Sequence, residues 1–209
     1  FMAWGSQAVL SLSPERFIQC RDGLVETRPI KGTRPRGRTP EEDRALSDEL
    51  LSSTKDRAEN VMIVDLLRND LGRVCTPGSI RVPQLCQLES YPNVHHLVSV
   101  VQGQLAAQHS PLSLLTAAFP GGSITGAPKI RAMQIIDELE PCQRSVYCGS
   151  LGYIDVRGSM DTSIAIRTMV ADDGALHVWG GGGLVADSKA DEEYTETLDK
   201  IRHLIGALE

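Results

Sequence analysis

The sequence has little of several features that mark particular classes of protein. Only 4% of its 209 residues are aromatic, and 21 basic residues face 27 acidic ones, which gives a net charge of −6. Contact with a phosphate backbone needs a basic surface, so this balance argues against nucleic acid as the main partner. A local cationic pocket for a small anion remains compatible with it. No apolar run approaches the ~20 residues that a membrane-spanning helix needs.

Cysteine pairs and a leader segment are also missing. The five cysteines are scattered, odd in number and never spaced as Cys-x-x-Cys, which predicts free thiols and a reducing cytoplasm. Phe1 to Leu12 contain no basic stretch followed by an apolar core, so they do not form a signal peptide. Because Phe1 is not an initiator methionine and Ala8–Leu12 already resembles a strand, we expect a C-terminal portion of a longer protein.

The order of predicted elements indicates the fold class. No repeat or low-complexity linker divides the chain, so residues 1–209 are expected to form one domain. Asp22-Gly23 and Asp172-Asp173-Gly174 are hairpin turns. Other strands are predicted at 94–105, 151–156 and 163–170, and helices at 39–53, 56–71, 128–139 and 190–207. Strands in hairpins with helices between them are typical of an α+β fold, with antiparallel sheets packed together and flanked by helices.

Local signals define the ends of the first two helices. Thr39 and Glu42 form a capping box with Pro40 at the first helical position. Gly72 suits the left-handed position after the second helix. The first helix is expected to bury three leucines, Leu46, Leu50 and Leu51.

The last helix carries two stripes of side chains. Apolar residues at coiled-coil-like spacing are expected to face the core: Tyr194, Leu198, Ile201, Ile205 and Leu208. A second stripe holds Glu193, Glu196, Lys200 and His203. Two carboxylates one turn apart suit a hard divalent cation, and the lysine suits a substrate carboxylate. A solvated face with an i,i+4 Glu196–Lys200 pair is the alternative.

Two glycine-rich segments could approach a ligand. Gly180–Gly183 lies between a strand and the last helix, where backbone N–H groups can bind a carboxylate or phosphate. A flexible loop is the alternative. Gly121–Lys129 is similar to a P-loop but has Ala127 where lysine is required, which argues against a nucleotide site.

Lys31, His95 and His96 could also take part in a site, but none of them is distinctive by itself. Lys31 lies between Pro29 and Gly32, where a fixed lysine could act as a nucleophile or be an ordinary surface charge. His95 and His96 face opposite sides of a strand, so at most one can point into a given pocket. Taken together, the carboxylates and lysine of the last helix and the glycine run before it indicate a pocket for a small polycarboxylate with a divalent cation.

The same segments together resemble the chorismate-binding enzyme family along essentially the whole chain. The matching motifs, in order, are Ser13-Pro14-Glu15, Pro29–Thr33, Glu59–Leu71, Pro120–Met133, Tyr147-Cys148-Gly149, Met160–Thr168 and Gly181–Ser188.

The resemblance implies a role for each matching position. Mg²⁺ would be bound by Glu59 and Glu196 with Glu193 close by, and would hold the ring carboxylate of chorismate. The other carboxylate would be held by Tyr147, Arg167, Lys200 and the backbone of Gly181, Gly182 and Gly183. Gly32, Thr33 and Ser123 would line the ring site. Glu15 would protonate the departing C4 hydroxyl, and His96 would orient or protonate nearby.

Lys31 indicates the branch of the family. The Pro-Ile-Lys-Gly-Thr form resembles the aminodeoxychorismate synthases, whereas anthranilate synthases carry alanine at this position. The resemblance implies attack of Lys31 on C2 of chorismate and amination at C4, with ammonia from a glutamine amidotransferase subunit or fused domain, on the route to p-aminobenzoate and folate. Anthranilate synthase component I and a folded but inactive chorismate-binding fragment remain alternatives. Isochorismate or salicylate synthesis is less favoured, because the loop offers no obvious base to activate water.

Overall fold

The computed structural model describes residues 1–186 and 188–208. The strands within these residues are β1 (Met2–Trp4), β2 (Gln7–Ser11), β3 (Arg16–Arg21), β4 (Leu24–Thr27), β5 (Ile30–Pro35), β6 (Arg81–Ser90), β7 (Val94–Gln104), β8 (Ser150–Ile154), β9 (Met160–Ile164), β10 (Thr168–Asp172) and β11 (Ala175–Val178). The helices are α1 (Pro40–Ser52), α2 (Thr54–Gly72), α3 (Pro111–Ala118), α4 (Gly122–Thr125), α5 (Lys129–Leu139) and α6 (Ala190–Gly206). Antiparallel sheets with flanking helices confirm the predicted fold class.

The chain forms two compact units made of alternating segments. Unit 1 comprises residues 1–14, 141–151 and 163–209, and unit 2 comprises residues 15–140 and 152–162. The division falls inside β8 and β9, so no flexible linker in the sequence marks it.

Unit 2 is organised around β7, the longest strand. β6 pairs with one edge of β7, while β4 and β5 share the other edge, at its second and first halves respectively. The sheet continues through β3 to β9 and β8. The β3–β4 hairpin turns at Asp22 (φ +50°) and Gly23 (φ +75°), as expected for the turn type that suits right-twisted strands.

Helix α2 is fixed to this sheet by a buried polar contact as well as apolar packing. Its face carries Ile63, Leu67 and Leu71, all nearly inaccessible to solvent. Asn60 is fully buried, and its amide nitrogen donates to the Leu97 carbonyl of β7 at 3.2 Å. Its amide oxygen accepts from the Ser99 hydroxyl, which also accepts from the Cys86 backbone N–H at 2.8 Å.

Unit 1 contains a second sheet, with the strand order β1-β2-β10-β11. The predicted turn at Asp173 and Gly174 is confirmed, with φ of +47° and +74°. The predicted strand over 163–170 is wrong, because the chain breaks pairing after β9 and Arg167 has a left-handed φ of +51° before β10 begins.

Several helix details differ from the prediction. The Thr39 cap is confirmed, since its hydroxyl accepts from the Glu42 N–H, but the Glu42 carboxylate accepts from the Arg38 N–H. Gly72 is the last residue of α2, and Arg73 follows in a right-handed conformation. Of the three leucines expected in the core from α1, only Leu50 is buried. In α6 the buried residues are Ile201 and Leu204, while the other expected core residues are exposed: Tyr194, Leu198, Ile205 and Leu208.

Two predictions from composition can be compared with the structure. All five cysteines are free thiols, as predicted. Among the helices in the described parts of the chain, none combines the length and the apolar character needed to cross a membrane.

Candidate functional site

In unit 2 the structure brings Glu15, Ser123 and Lys31 together. Glu15 precedes β3 and is 8% exposed. Burial is the main influence on its carboxyl and raises its pKa, and a hydrogen bond from Ser123 and the charge of Lys31 oppose that rise. The Lys31 ammonium lies 3.5 Å from the Ser123 carbonyl oxygen. Ser123 therefore contacts both ionisable side chains, Glu15 through its hydroxyl and Lys31 through its backbone carbonyl.

Lys31 lies within strand β5 rather than in the loop that the sequence suggested. The pairing of β5 with β7 shifts register between Ile30 and Thr33, and this irregularity contains Lys31 and Gly32. Gly32 has a φ of +85°, and a Cβ there would lie 2.9 Å from Asp56 and Leu50. Glycine is required on both grounds, so Gly32 sets the backbone that presents Lys31.

The two histidines face opposite ways, as predicted for consecutive strand residues. His96 is half-buried, and its Nδ1 lies 2.9 Å from the Thr33 hydroxyl. His95 is buried, and its ring nitrogens contact Ser90 Oγ at 2.8 Å and Asp43 Oδ1 at 3.0 Å. His96 is therefore the histidine whose side chain contacts β5, at Thr33, close to Lys31.

The segment that carries Ser123 lies directly on α2. A Cβ on Gly122 would approach Leu66 Cδ2 to 2.4 Å, so only glycine permits this contact without rearrangement. Glu59, the predicted metal ligand of this unit, is half-buried two turns earlier on the same helix.

In unit 1 the glycine run lies against Tyr147 and α6. A Cβ on Gly181 would approach the Tyr147 hydroxyl to 2.5 Å, and one on Gly180 would lie 2.9 Å from the Thr197 carbonyl oxygen. The Tyr147 ring stacks on Trp179, with 6.4 Å between centroids and 9° between planes. Close packing on both sides argues against the flexible-loop interpretation for Gly180 and Gly181.

Charged groups of unit 1 gather at the same glycines. The Lys200 ammonium donates to the Gly181 carbonyl at 3.2 Å and pairs with Glu196 at 2.5 Å. The Arg167 Nε donates to the Lys200 carbonyl at 2.6 Å, and burial lowers the pKa of its guanidinium. This set can bind a small carboxylate, because it combines two cations, a phenol and glycine backbone.

The acidic residues of α6 are engaged within their own unit. Glu193 Oε1 accepts from the Ser188 hydroxyl at 2.5 Å, and a Cβ on Gly182 would lie 3.1 Å from its Oε2. No group of three or more His, Cys, Asp or Glu side chains suited to a metal occurs among residues 1–186 and 188–208. The donor chemistry of α6 nevertheless fits Mg²⁺, since Glu193 and Glu196 present hard oxygens one helical turn apart.

Trp179, Lys129 and Asp70 lie near these residues and were not predicted from the sequence. Trp179 stacks on Tyr147, and its only sequence signal is an aromatic residue directly before the glycine run. Lys129 and Asp70 form a buried pair across 59 residues of sequence, which no local pattern could indicate.

Comparison with known proteins is consistent with these features. The family model for chorismate binding enzymes matches residues 1–206. The aminodeoxychorismate synthase component 1 of Klebsiella aerogenes is 58% identical over all 209 residues, and the anthranilate synthase component 1 of Pseudomonas putida is 51% identical over 208 residues. The chain spans 46% and 42% of those two proteins, less than half of each. The crystal structure of anthranilate synthase component I from Streptococcus pneumoniae is similar over 94% of this chain and 43% of that protein's chain. The TM-score is 0.86 and the sequence identity is 42%.

Proposed function

This chain belongs to the chorismate-binding enzyme family, and from that premise we propose that it aminates chorismate at C4 to give 4-amino-4-deoxychorismate. The observation that carries the proposal is the placement of Lys31 beside the buried carboxyl of Glu15, with Ser123 in contact with both. These contacts support a pairing of Lys31 as nucleophile with Glu15 as acid in unit 2.

The proposed reaction has two displacement steps. The neutral amine of Lys31 attacks C2 of the ring, the two conjugated ring double bonds shift, and the C4–O bond breaks. The hydroxyl leaves as water with a proton from Glu15. Ammonia then attacks C4, the two double bonds shift back, and the C2–N bond breaks, which releases Lys31 as its neutral amine. Covalent catalysis of this kind divides one difficult displacement into two easier ones.

Glu15 suits the role of acid because its carboxyl favours the protonated form. Burial raises its pKa, so the group holds a proton at a higher pH than an exposed glutamate does. The Ser123 hydroxyl can stabilise the carboxylate once the proton has left. His96, hydrogen-bonded to Thr33, is proposed to orient groups or to supply a proton on the same side of β7.

The set in unit 1 supports binding of the enolpyruvyl carboxylate. Arg167, Lys200, Tyr147 and the Gly181–Gly183 backbone supply the charges and donors that such an anion needs. Glu59 and Glu196, with Glu193, are proposed to hold Mg²⁺, which when bound would neutralise the ring carboxylate. Lys200 pairs with Glu196, one of these proposed ligands, at 2.5 Å.

Ammonia is proposed to come from a glutamine amidotransferase, as a separate subunit or a fused domain. The relatives named component 1 are each one part of a synthase. Ammonium salts should replace that partner, whereas glutamine alone should not support the reaction without it.

Anthranilate synthesis is the second candidate, because the Pseudomonas putida relative carries that name and is 51% identical. It would share the loss of the C4 hydroxyl but place the nitrogen at C2. An amine already held at C2 by Lys31 favours amination at C4 over that outcome.

The products of chorismate decide between these proposals. The complete polypeptide carrying this sequence, and its Lys31→Ala variant, would be incubated with chorismate, Mg²⁺ and excess ammonium, and a lyase would convert aminodeoxychorismate to p-aminobenzoate. p-Aminobenzoate from the wild type and its loss in the variant support the proposal. Anthranilate would assign the other branch. Chorismate binding without any product would indicate a folded but inactive protein.

A further inference from the structure

The ion pair between Lys129 and Asp70 lies in unit 2 outside the residues assigned to the reaction. The Lys129 ammonium donates to Asp70 Oδ2 at 2.6 Å and to the Ala118 carbonyl at 2.8 Å. The side chains are 14% and 4% exposed, respectively. Burial raises the pKa of Asp70, and the hydrogen bond and charge of Lys129 oppose that rise, as does the charge of Arg73. A buried charge pair persists only when its geometry is held well.

The Lys129 side chain joins the two ends of the segment that precedes it. Its side chain reaches the carbonyl of Ala118, at the end of α3, while its own backbone begins α5. The intervening residues 119–128 therefore have their two ends joined by one ammonium group. Arg73 donates to the neighbouring Ala117 carbonyl at 3.1 Å, so two cations lie at the C-terminal end of α3, where the helix dipole favours positive charge.

The closed loop carries Ser123 to the reactive groups. Gly122 contacts Leu66 on α2, and Asp70 lies one turn further along the same helix. The loop is thus fixed to α2 at two points, on either side of Ser123. Ser123 in turn contacts Glu15 through its hydroxyl and Lys31 through its carbonyl.

We propose that Lys129 and Asp70 are positioning residues for the reaction, which hold the 119–128 loop so that Ser123 keeps Lys31 and Glu15 in place. The expected effect on kcat rests on the proposed function. The expected effect on the placement of Ser123 and Lys31 rests only on the contacts. Neither residue touches the reacting atoms, so the effect passes through Ser123.

The kinetic test uses the complete polypeptide and the variants Lys129→Met, Asp70→Asn and the double variant. Loss of either partner should lower kcat by ~10²-fold with little change in KM, because misplacement of a catalytic group by about 1 Å has an effect of that size. The double variant should lose no more than the single variants, since the pair acts as a unit. Lys129→Arg keeps a cation near Asp70 and should retain more activity than Lys129→Met.

The matched control is the exposed pair of Arg68 and Asp65 on the same helix, whose atoms are 2.8 Å apart. Arg68→Met should leave kcat unchanged. Thermal unfolding of every variant separates a folded protein with low kcat from one that has lost its fold. The double variant leaves no unpaired buried charge, so it provides a folded comparison if a single variant unfolds.

A second readout needs no chorismate. An amine-acylating reagent is applied, and the labelling of Lys31 is followed by peptide mass spectrometry against Lys55, an exposed lysine of α2. The Lys129→Met and double variants should label Lys31 severalfold faster than the wild type, because its contact with Ser123 is loosened.

Unchanged labelling and unchanged kcat in the folded double variant would overturn the positioning role. If the wild type makes no aminated product but Lys31 labelling still changes, the proposed function fails and the positioning role stands. If kcat in the variants falls only in proportion to the folded fraction, the pair stabilises the fold and has no positioning role.

Discussion

At the residue scale, the properties of Glu15 follow from its burial. The Glu15 carboxyl is 8% exposed, and this burial raises its pKa, while Ser123 and Lys31 oppose the rise. The same carboxyl therefore has two measurable consequences, one for catalysis and one for stability.

Glu15→Gln should abolish acid catalysis without changing the shape of the side chain. We expect kcat for amination to fall by ~10²–10⁴-fold, because the departing hydroxyl loses its proton donor. In the wild type, kcat/KM should fall as the pH rises through the raised pKa of Glu15, since the acid must be protonated. Steady-state rates across the pH range measure both effects. Wild-type activity in the variant would remove Glu15 from the mechanism.

The same substitution should change stability in a pH-dependent way. The folded-state pKa is raised above 4.5, so the stability that protonated Glu15 contributes is present below that pH and is lost as the pH rises through the folded value. Glutamine is neutral throughout. Glu15→Gln should therefore unfold at a higher temperature than the wild type at pH ~8, and this advantage should disappear near pH ~4. A pH-independent difference would contradict the assignment of burial as the cause.

At the scale of elements, α2 depends on a buried amide. Asn60→Ala would leave the Leu97 carbonyl without its donor and remove the acceptor of the Ser99 hydroxyl. We expect unfolding to become easier by ~1–3 kcal/mol for each buried group left unsatisfied. Urea denaturation measures this, with Arg68→Met as an exposed control on the same helix. A loss as small as that of the control would show that the contact contributes little.

Helix α6 carries the proposed metal ligand Glu196 beside Lys200, which is proposed to bind the substrate. Glu196→Gln keeps a polar side chain but removes the charge, so the Mg²⁺ concentration that gives half-maximal activity should rise by about tenfold or more. A titration of activity with Mg²⁺ measures this. Glu192→Gln, on the same helix and paired with the exposed Lys189, is the matched control. An unchanged Mg²⁺ requirement in Glu196→Gln would exclude this residue as a ligand.

Elements whose signals are local could be predicted from the sequence. The turns at Asp22-Gly23 and Asp173-Gly174 need left-handed backbone, and the residues themselves report that need. The burial of individual helix residues could not be predicted, because it depends on what packs against the helix. Leu51 and Tyr194 are exposed for this reason, and β5 and its irregularity at Gly32 follow from pairing with β7, distant in sequence.

At the scale of the whole molecule, the candidate site combines local motifs with contacts that no motif contains. Predicted site residues with contacts inside each unit are Glu15, Lys31 and Ser123 in unit 2, and Tyr147, Gly181 and Lys200 in unit 1. Their motifs are separated along the sequence, with Lys31 and Ser123 92 positions apart, and only the fold shows which of them meet. The roles of Lys129 and Trp179 depend wholly on such long-range contacts.

The covalent intermediate on Lys31 is tested most directly by peptide mass spectrometry. The complete polypeptide is incubated with chorismate and Mg²⁺ in the absence of ammonia, and the reaction is quenched rapidly. We expect an adduct with the mass of chorismate less one water, on the peptide that contains Lys31. The adduct should be absent from Lys31→Ala and should disappear when ammonium is added. Wild-type rates of amination in Lys31→Ala, or an adduct on a different residue, would exclude Lys31 as the nucleophile.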